Sequence, residues 1–204
     1  MTRIKLCGLS RPCDIEAANR LLPTYIGLVF APGSRRYVSP ARAAELKAQT
    51  DPRISVVGVF VNASPETVAE LLGRGIIDVA QLHGQEDEAY IRRLRTLTDK
   101  PLIQAFRVDT AQDVQAAEAS GADMVLLDSG RGGTGQAFDW ELVRRVRRPY
   151  LLAGGLNPAS VGQAMDMLHP FGVDVSSGIE TDGKKDMEKM RAFVYAVRGK
   201  DEMK

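Results

Sequence analysis

Eight short β-rich runs recur along the chain at nearly even spacing. They are RIKLC (3–7), YIGLVF (25–30), ISVVGVF (54–60), DVAQL (78–82), PLIQAF (101–106), ADMVLLD (122–128), PYLLA (149–153) and GVDVS (172–176). From Ile4 to Gly172 the seven steps average about 24 residues. Between the runs lie helical patterns. Val68, Leu71 and Leu72 share a face, as do Tyr90, Ile91, Leu94 and Leu97, and again Val161, Met165 and Leu168. Helix starts are marked by Ser39-Pro40, Ser64-Pro65 and Asn157-Pro158. In each, the cap side chain accepts a backbone N–H, and proline supplies a fixed φ where its missing N–H costs nothing.

Apolar strands alternating with helices argue for a parallel sheet covered on its outside by helices. Eight such units close a (β/α)8 TIM barrel, and 204 residues against a typical length of about 250 imply short loops. The reading is one domain spanning 1–204. An open doubly wound sheet is the alternative, but no G-x-G-x-x-G follows the first run, and CGLSRP makes a poor phosphate loop.

Charge narrows the partners. Lys plus Arg is 27 and Asp plus Glu is 26, a net +1, so no broad basic field draws in nucleic acid or an anionic membrane. Any bound anion must be caught by a local site. MTRIKLCGLS lacks the apolar core of a signal peptide, and no stretch approaches the roughly 18 apolar residues of a membrane span. Cys7 and Cys13, six apart, match no zinc pair and are too few for a disulfide framework. Both read as free thiols of a cytoplasmic protein with no metal.

In a barrel of this kind, chemistry sits at the C-terminal strand ends and in the loops beyond them. Cys7, Arg35, Arg36, Asn62, His83, Arg107, Asp128, Gly154–Gly155 and Ser176–Gly178 become the candidates. Gly154 and Gly155 follow the seventh run, and Ser177 and Gly178 the eighth; those two loops are this fold's frequent phosphate site. Each pair alone reads equally well as a tight turn. Asp128 closes an apolar strand, where a partly desolvated carboxyl is suited to donating a proton. A carboxylate capping its own glycine-rich loop is the plainer reading, and Asp123 at the strand's other end is expected to be structural. Alternation puts Arg3, Lys5 and Cys7 on one face of the first strand, with Ile4 and Leu6 toward the helices. Most free cysteines are small buried hydrophobes, which is the expectation for Cys13. Arg35 or Arg36 could hold a carboxylate with its planar fork, and position does not choose between them.

The segments KLCG (5–8), GLVFAPGSRRYVSP (27–40), GVFVN (58–62), QLHG (81–84), LLDSGRGGTGQAFDW (126–140), LAGGLNP (152–158) and VDVSSGIE (173–180) together resemble phosphoribosylanthranilate isomerase. The resemblance covers nearly the whole chain. It implies an intramolecular oxidoreductase (an aldose–ketose isomerase) of tryptophan biosynthesis. Its substrate is N-(5-phosphoribosyl)anthranilate, its reaction an Amadori rearrangement without cofactor, and its state monomer or homodimer. Carried over residue by residue, Cys7 is the general base, Asp128 the general acid and Arg36, rather than Arg35, the partner of the anthranilate carboxylate. The loop SGRGGTG is shorter than in many relatives.

Two rivals share the scaffold. Indole-glycerol-phosphate synthase uses a lysine as its acid, and a non-catalytic sugar-phosphate binder would leave anthranilate fluorescence unchanged over time. His83, on the same face as Gln81, is expected to line the pocket without acting as acid or base. His169 lies toward the opposite end. The expectation for His83→Ala is a raised KM with kcat largely kept in steady-state kinetics; a collapsed kcat at unchanged KM would overturn it.

Overall fold

The computed structural model describes residues 1–128 and 140–202. The loop SGRGGTG (129–135) lies outside the described residues. Eight parallel strands close in sequence order. They are β1 (Arg3–Cys7), β2 (Tyr25–Val29), β3 (Ser55–Phe60), β4 (Val79–Leu82), β5 (Leu102–Arg107), β6 (Met124–Asp128), β7 (Tyr150–Ala153) and β8 (Gly172–Val175). Each lies within two residues of the run that forecast it. The helices are α1 (Pro12–Leu21), α2 (Pro40–Gln49), α3 (Pro65–Gly73), α4 (Glu88–Arg95), α5 (Ala111–Ala119), α6 (Trp140–Val143), α7 (Val161–Leu168) and α8 (Met187–Glu202).

Capping works as the residues imply at α2 and α3. Ser39 accepts from the Arg42 amide at 3.2 Å and Ser64 from the Thr67 amide at 3.2 Å, each with proline opening the helix. At the third signal the side chain also accepts as implied: Asn157 Oδ1 takes the amides of Ala159 (2.9 Å) and Ser160 (3.1 Å), and its carbonyl takes the Val161 N–H at 3.1 Å. Regular helix follows only from Val161, so α7 starts one turn later than the Asn-Pro pair suggests. Cys13 is also corrected: it lies exposed on the outer side of α1. A ten-residue helix on a barrel buries one stripe, here Ile15, Ala18 and Leu21, and position 13 falls off it.

Strand alternation divides the apolar residues into two layers. Ile4, Leu6, Ile26, Val56, Leu127 and Leu152 point outward into the continuous core beneath the helices. Tyr25, Val57, Val79, Ile103, Leu126 and Leu151 point inward and fill the lower barrel. Above them the interior turns polar. Lys5 is fully buried, and its Nζ donates to Asp174 Oδ1 at 2.9 Å across the seam where β1 meets β8. Asp123, at the lower end of β6, accepts from the Leu102 amide and pairs with Arg95 Nη2 at 2.5 Å, a structural role. His169 caps α7 in a left-handed conformation (φ 45°) at the same end.

After β8 comes a 3-10 turn (Ser177–Ile179) and then a hairpin that sequence reading did not anticipate, β9 (Glu180–Thr181) and β10 (Lys184–Lys185). Asp182 and Gly183 make its two-residue turn with φ of 52° and 73°, the left-handed pair that Asp-Gly favours.

Removing one partner of a buried ion pair strands the other charge, so Asp174→Ala should lose about 3–5 kcal/mol in urea unfolding. A variant as stable as the parent would show that Lys5 does not depend on this pairing.

Candidate active site

One cavity of about 430 Å³ opens at the C-terminal mouth of the barrel. Of the residues singled out from sequence, Cys7, Arg36, His83, Asp128, Gly154, Gly155, Ser176 and Ser177 line it. Residues from six strand ends or following loops thus meet in one place. Gly178 is absent from the lining, and its reason for being glycine is different. A Cβ there would sit 1.9 Å from the Leu156 carbonyl oxygen, so only glycine lets the loops after β7 and β8 come together. Gly154 and Gly155 carry φ of 92° and 65°.

Cys7 ends β1 with its side chain turned inward, only 7% exposed. Space for the sulfur comes from the neighbouring strand: a Cβ at Gly27 would stand 2.6 Å from Cys7 Sγ. Below it on the same face, Lys5 carries a buried charge. Burial works against that charge, yet Asp174 and Cys7 outweigh the burial and raise the lysine pKa. Burial also pushes the Cys7 thiol up, with the Lys5 ammonium acting in the opposite direction.

Across the mouth, Asp128 ends β6 with its side chain about one-third exposed. His83 Nε2 lies 3.8 Å from Asp128 Oδ2. Gln81 Nε2 is 2.8 Å from His83 Nδ1. With Nδ1 held by Gln81, Nε2 is the ring nitrogen that faces the carboxyl. Gln81, buried on β4, therefore fixes the direction of His83.

Arg36 reaches the mouth from the loop after β2, and here the structure adds to the sequence reading. Its Nε and Nη2 donate to Glu180 Oε1 and Oε2 at 2.7 and 2.8 Å, so one edge of the fork is already occupied. Glu180 belongs to the unanticipated hairpin. The Asp-Gly turn in ETDGKK was the signal that could have revealed it. Asn62 and Arg107 serve locally. Asn62 Oδ1 accepts from the Gln85 amide at 2.7 Å, and Arg107 pairs with Asp109 at 2.7 Å.

Fold and mouth together define a (β/α)8-barrel enzyme whose chemistry is carried on the C-terminal ends of its strands. The chain belongs to the N-(5′-phosphoribosyl)anthranilate (PRA) isomerase family, whose model matches residues 4–196. It is 43% identical over 196 residues to the N-(5′-phosphoribosyl)anthranilate isomerase of Lactiplantibacillus plantarum, covering 95% of this chain and 91% of that one. To the Dechloromonas aromatica enzyme it is 44% identical over 208 residues, with 98% of each covered. Among solved structures, phosphoribosyl anthranilate isomerase from Thermotoga maritima superposes with a TM-score of 0.88 at 35% identity, covering 98% of this chain and all of that one. A phosphoribosyl anthranilate isomerase in complex with reduced 1-(o-carboxyphenylamino)-1-deoxyribulose 5-phosphate matches with a TM-score of 0.86 at 34% identity, over 98% of this chain and 100% of that one.

The two thiols give a direct check on the site's environment. Thiolate is the nucleophile, and burial raises Cys7, so iodoacetamide at neutral pH should label exposed Cys13 first. Labelling of Cys7 should grow with pH through a midpoint above the usual thiol value of about 8.5. Rapid labelling of Cys7 at pH 7 would contradict this environment.

Proposed function

We propose that Cys7 and Asp128 carry the proton transfers of the family's reaction, with Arg36 receiving the aromatic carboxylate. The activity is the Amadori rearrangement of N-(5-phosphoribosyl)anthranilate to 1-(2-carboxyphenylamino)-1-deoxyribulose 5-phosphate, a step of tryptophan biosynthesis. The single observation that carries the assignment is that a thiol from β1 and a carboxyl from β6 line the same cavity.

The chemistry follows from what each group can do. Asp128 gives its proton to the ribose ring oxygen, the C1′–O bond breaks, and a Schiff-base cation forms between C1′ and the anthranilate nitrogen. That positive charge acidifies the C2′ hydrogen. The Cys7 thiolate takes this proton, and the C2′–H electron pair moves to give an enolamine. The enol then loses its hydroxyl proton while C1′ gains one, leaving the ketone. Burial leaves little thiolate at neutral pH, but makes the thiolate that does form the stronger base. The adjacent Lys5 charge favours that anion.

The remaining assignments follow the layout of the mouth. The phosphate is bound by backbone N–H groups of Gly154, Gly155, Ser177 and Gly178, in the two loops that this fold commonly uses for it. His83 lines the aromatic side of the pocket. Residues 1–204 act as one domain. Two free thiols support a cytoplasmic enzyme, and among the described residues no helix is long and apolar enough to cross a membrane. The Thermotoga maritima relative is dimeric and has also been solved as monomers, and either a monomer or a homodimer is proposed for this chain.

Cys7→Ala and Asp128→Asn should each lower turnover by about 10²–10⁴-fold with the fold intact, followed as the decay of anthranilate fluorescence. Near-normal turnover in either purified variant would refute its assigned role.

A further inference from the structure

Arg36 is held by more than its own loop. We propose that Glu180 and Lys185, at the two ends of the β9–β10 hairpin, are positioning residues that aim the free edge of the Arg36 guanidinium into the pocket, where it meets the substrate's aromatic carboxylate. This rests on the reading of Arg36 as the carboxylate's partner and names what makes that partner selective.

The hydrogen bonds tie one edge of the guanidinium to the hairpin. Glu180 Oε1 accepts from Arg36 Nε at 2.7 Å and from Lys185 Nζ at 2.5 Å, while Oε2 accepts from Arg36 Nη2 at 2.8 Å. The Lys185 ammonium is spent inside the same cluster, donating also to the Ser176 carbonyl at 2.9 Å. Side-chain exposure is 9% for Glu180 and 2% for Lys185 against 33% for Arg36, so the anion and the lysine are buried and the arginine alone reaches outward. Burial alone would raise the Glu180 carboxyl, but the hydrogen bonds from Arg36 and Lys185 hold it down at about 2. It is therefore a permanent anion at any pH where the enzyme works.

The stem of Arg36 is fixed as well. Gly8, directly after Cys7, has φ of 79°, and a Cβ there would stand 2.4 Å from Arg36 Cδ. The arginine therefore crosses the end of β1 through a gap that only glycine leaves, next to the residue assigned as base.

A guanidinium has five N–H donors in one plane, and Glu180 takes two of them from the Nε side. Nη1 and the second Nη2 hydrogen form the other edge, which can grip a second carboxylate in the same bidentate manner. Charge balance explains why the cluster contains a lysine. Arg36 and Glu180 alone sum to zero and would hold an incoming anion weakly. Lys185 restores one net positive charge, which the substrate carboxylate then neutralises. Holding the long arginine side chain in place beforehand also removes an ordering cost from binding.

The test compares wild type, Glu180→Gln, Lys185→Met, Arg36→Met and the double variant Glu180→Gln/Arg36→Met. Two inhibitors are titrated against each: the reduced product analogue, and the same compound lacking the aromatic carboxylate. Far-UV circular dichroism and thermal melting confirm folding. Wild type should prefer the carboxylated inhibitor, and Glu180→Gln and Lys185→Met should each lose most of that preference. In Glu180→Gln, KM should rise roughly tenfold with kcat within about threefold, the pattern of lost uniform binding. Within the Arg36→Met background, Glu180→Gln should add nothing, because the two act as one unit. The proposal is overturned if a folded Glu180→Gln or Lys185→Met keeps the wild-type preference. It is equally overturned if the KM effect persists once Arg36 is gone. If Arg36→Met itself keeps the preference, the assignment of Arg36 to the carboxylate fails instead. Should Glu180→Gln not fold, Lys185→Met decides alone.

Discussion

The seam where β1 pairs with β8 sets everything above it. Arg3, Ile4, Lys5 and Leu6 lie opposite Gly172, Val173, Asp174 and Val175, and this register closes the barrel. It places Lys5 and Asp174 as direct neighbours across the join, both facing inward. Side chains in a strand alternate with period two, so a slip of one residue would turn every inward group outward. The apolar outer faces forbid that slip, since Ile4, Leu6, Val173 and Val175 would all leave the core under the helices. Once the seam is fixed, Cys7 has no freedom left: it is the next inward residue after Lys5, at the rim.

The same rule carries round the ring. Gln81 faces inward on β4 and His83 comes two residues later at the mouth; Leu126 faces inward on β6 and Asp128 comes two residues later. Groups far apart in the chain converge because each lies an even number of steps above an inward-facing residue: Lys5 below Cys7, Gln81 below His83 and Leu126 below Asp128. The loops then bring in residues that strands cannot: Gly154, Gly155 and Ser177 after β7 and β8, and an arginine that crosses the rim after β2. The candidate groups thus stand at the mouth, separated from Asp123 and His169 at the lower end, where Asp123 holds the Leu102 amide and Arg95 and His169 ends α7.

That separation explains how much was readable in advance. Strand positions follow from apolar runs and local caps, so the eight strands and the helix starts at Ser39 and Ser64 needed no tertiary information. Alternation alone also turned Cys7 inward. Asn157 accepts backbone amides as its motif implies, but regular helix begins one turn further on, at Val161, which the Asn-Pro pair alone does not tell. Cys13 misled because the burial habit of cysteines is a tendency of the residue type, whereas the buried stripe of α1 is set by the barrel beneath it. The site divides in the same way. Cys7, Asp128, His83 and Arg36 were legible as strand-end or loop residues, and the family resemblance chose between Arg35 and Arg36. Glu180 and Lys185 were not, since their importance lies wholly in which distant groups they touch. Nor did any pattern show that His83 would be turned toward Asp128 by Gln81.

The central claim is that a thiol and a carboxyl flank one sugar from different sides of the barrel mouth. A crystal structure of this protein with the reduced product analogue would test it most directly. The account predicts Cys7 Sγ against C2′, the Asp128 carboxyl within hydrogen-bonding distance of the oxygen released from the ring, and the phosphate in the loops after β7 and β8. A ligand bound with either group turned away from the reacting carbons, or with its phosphate at another loop, would contradict it.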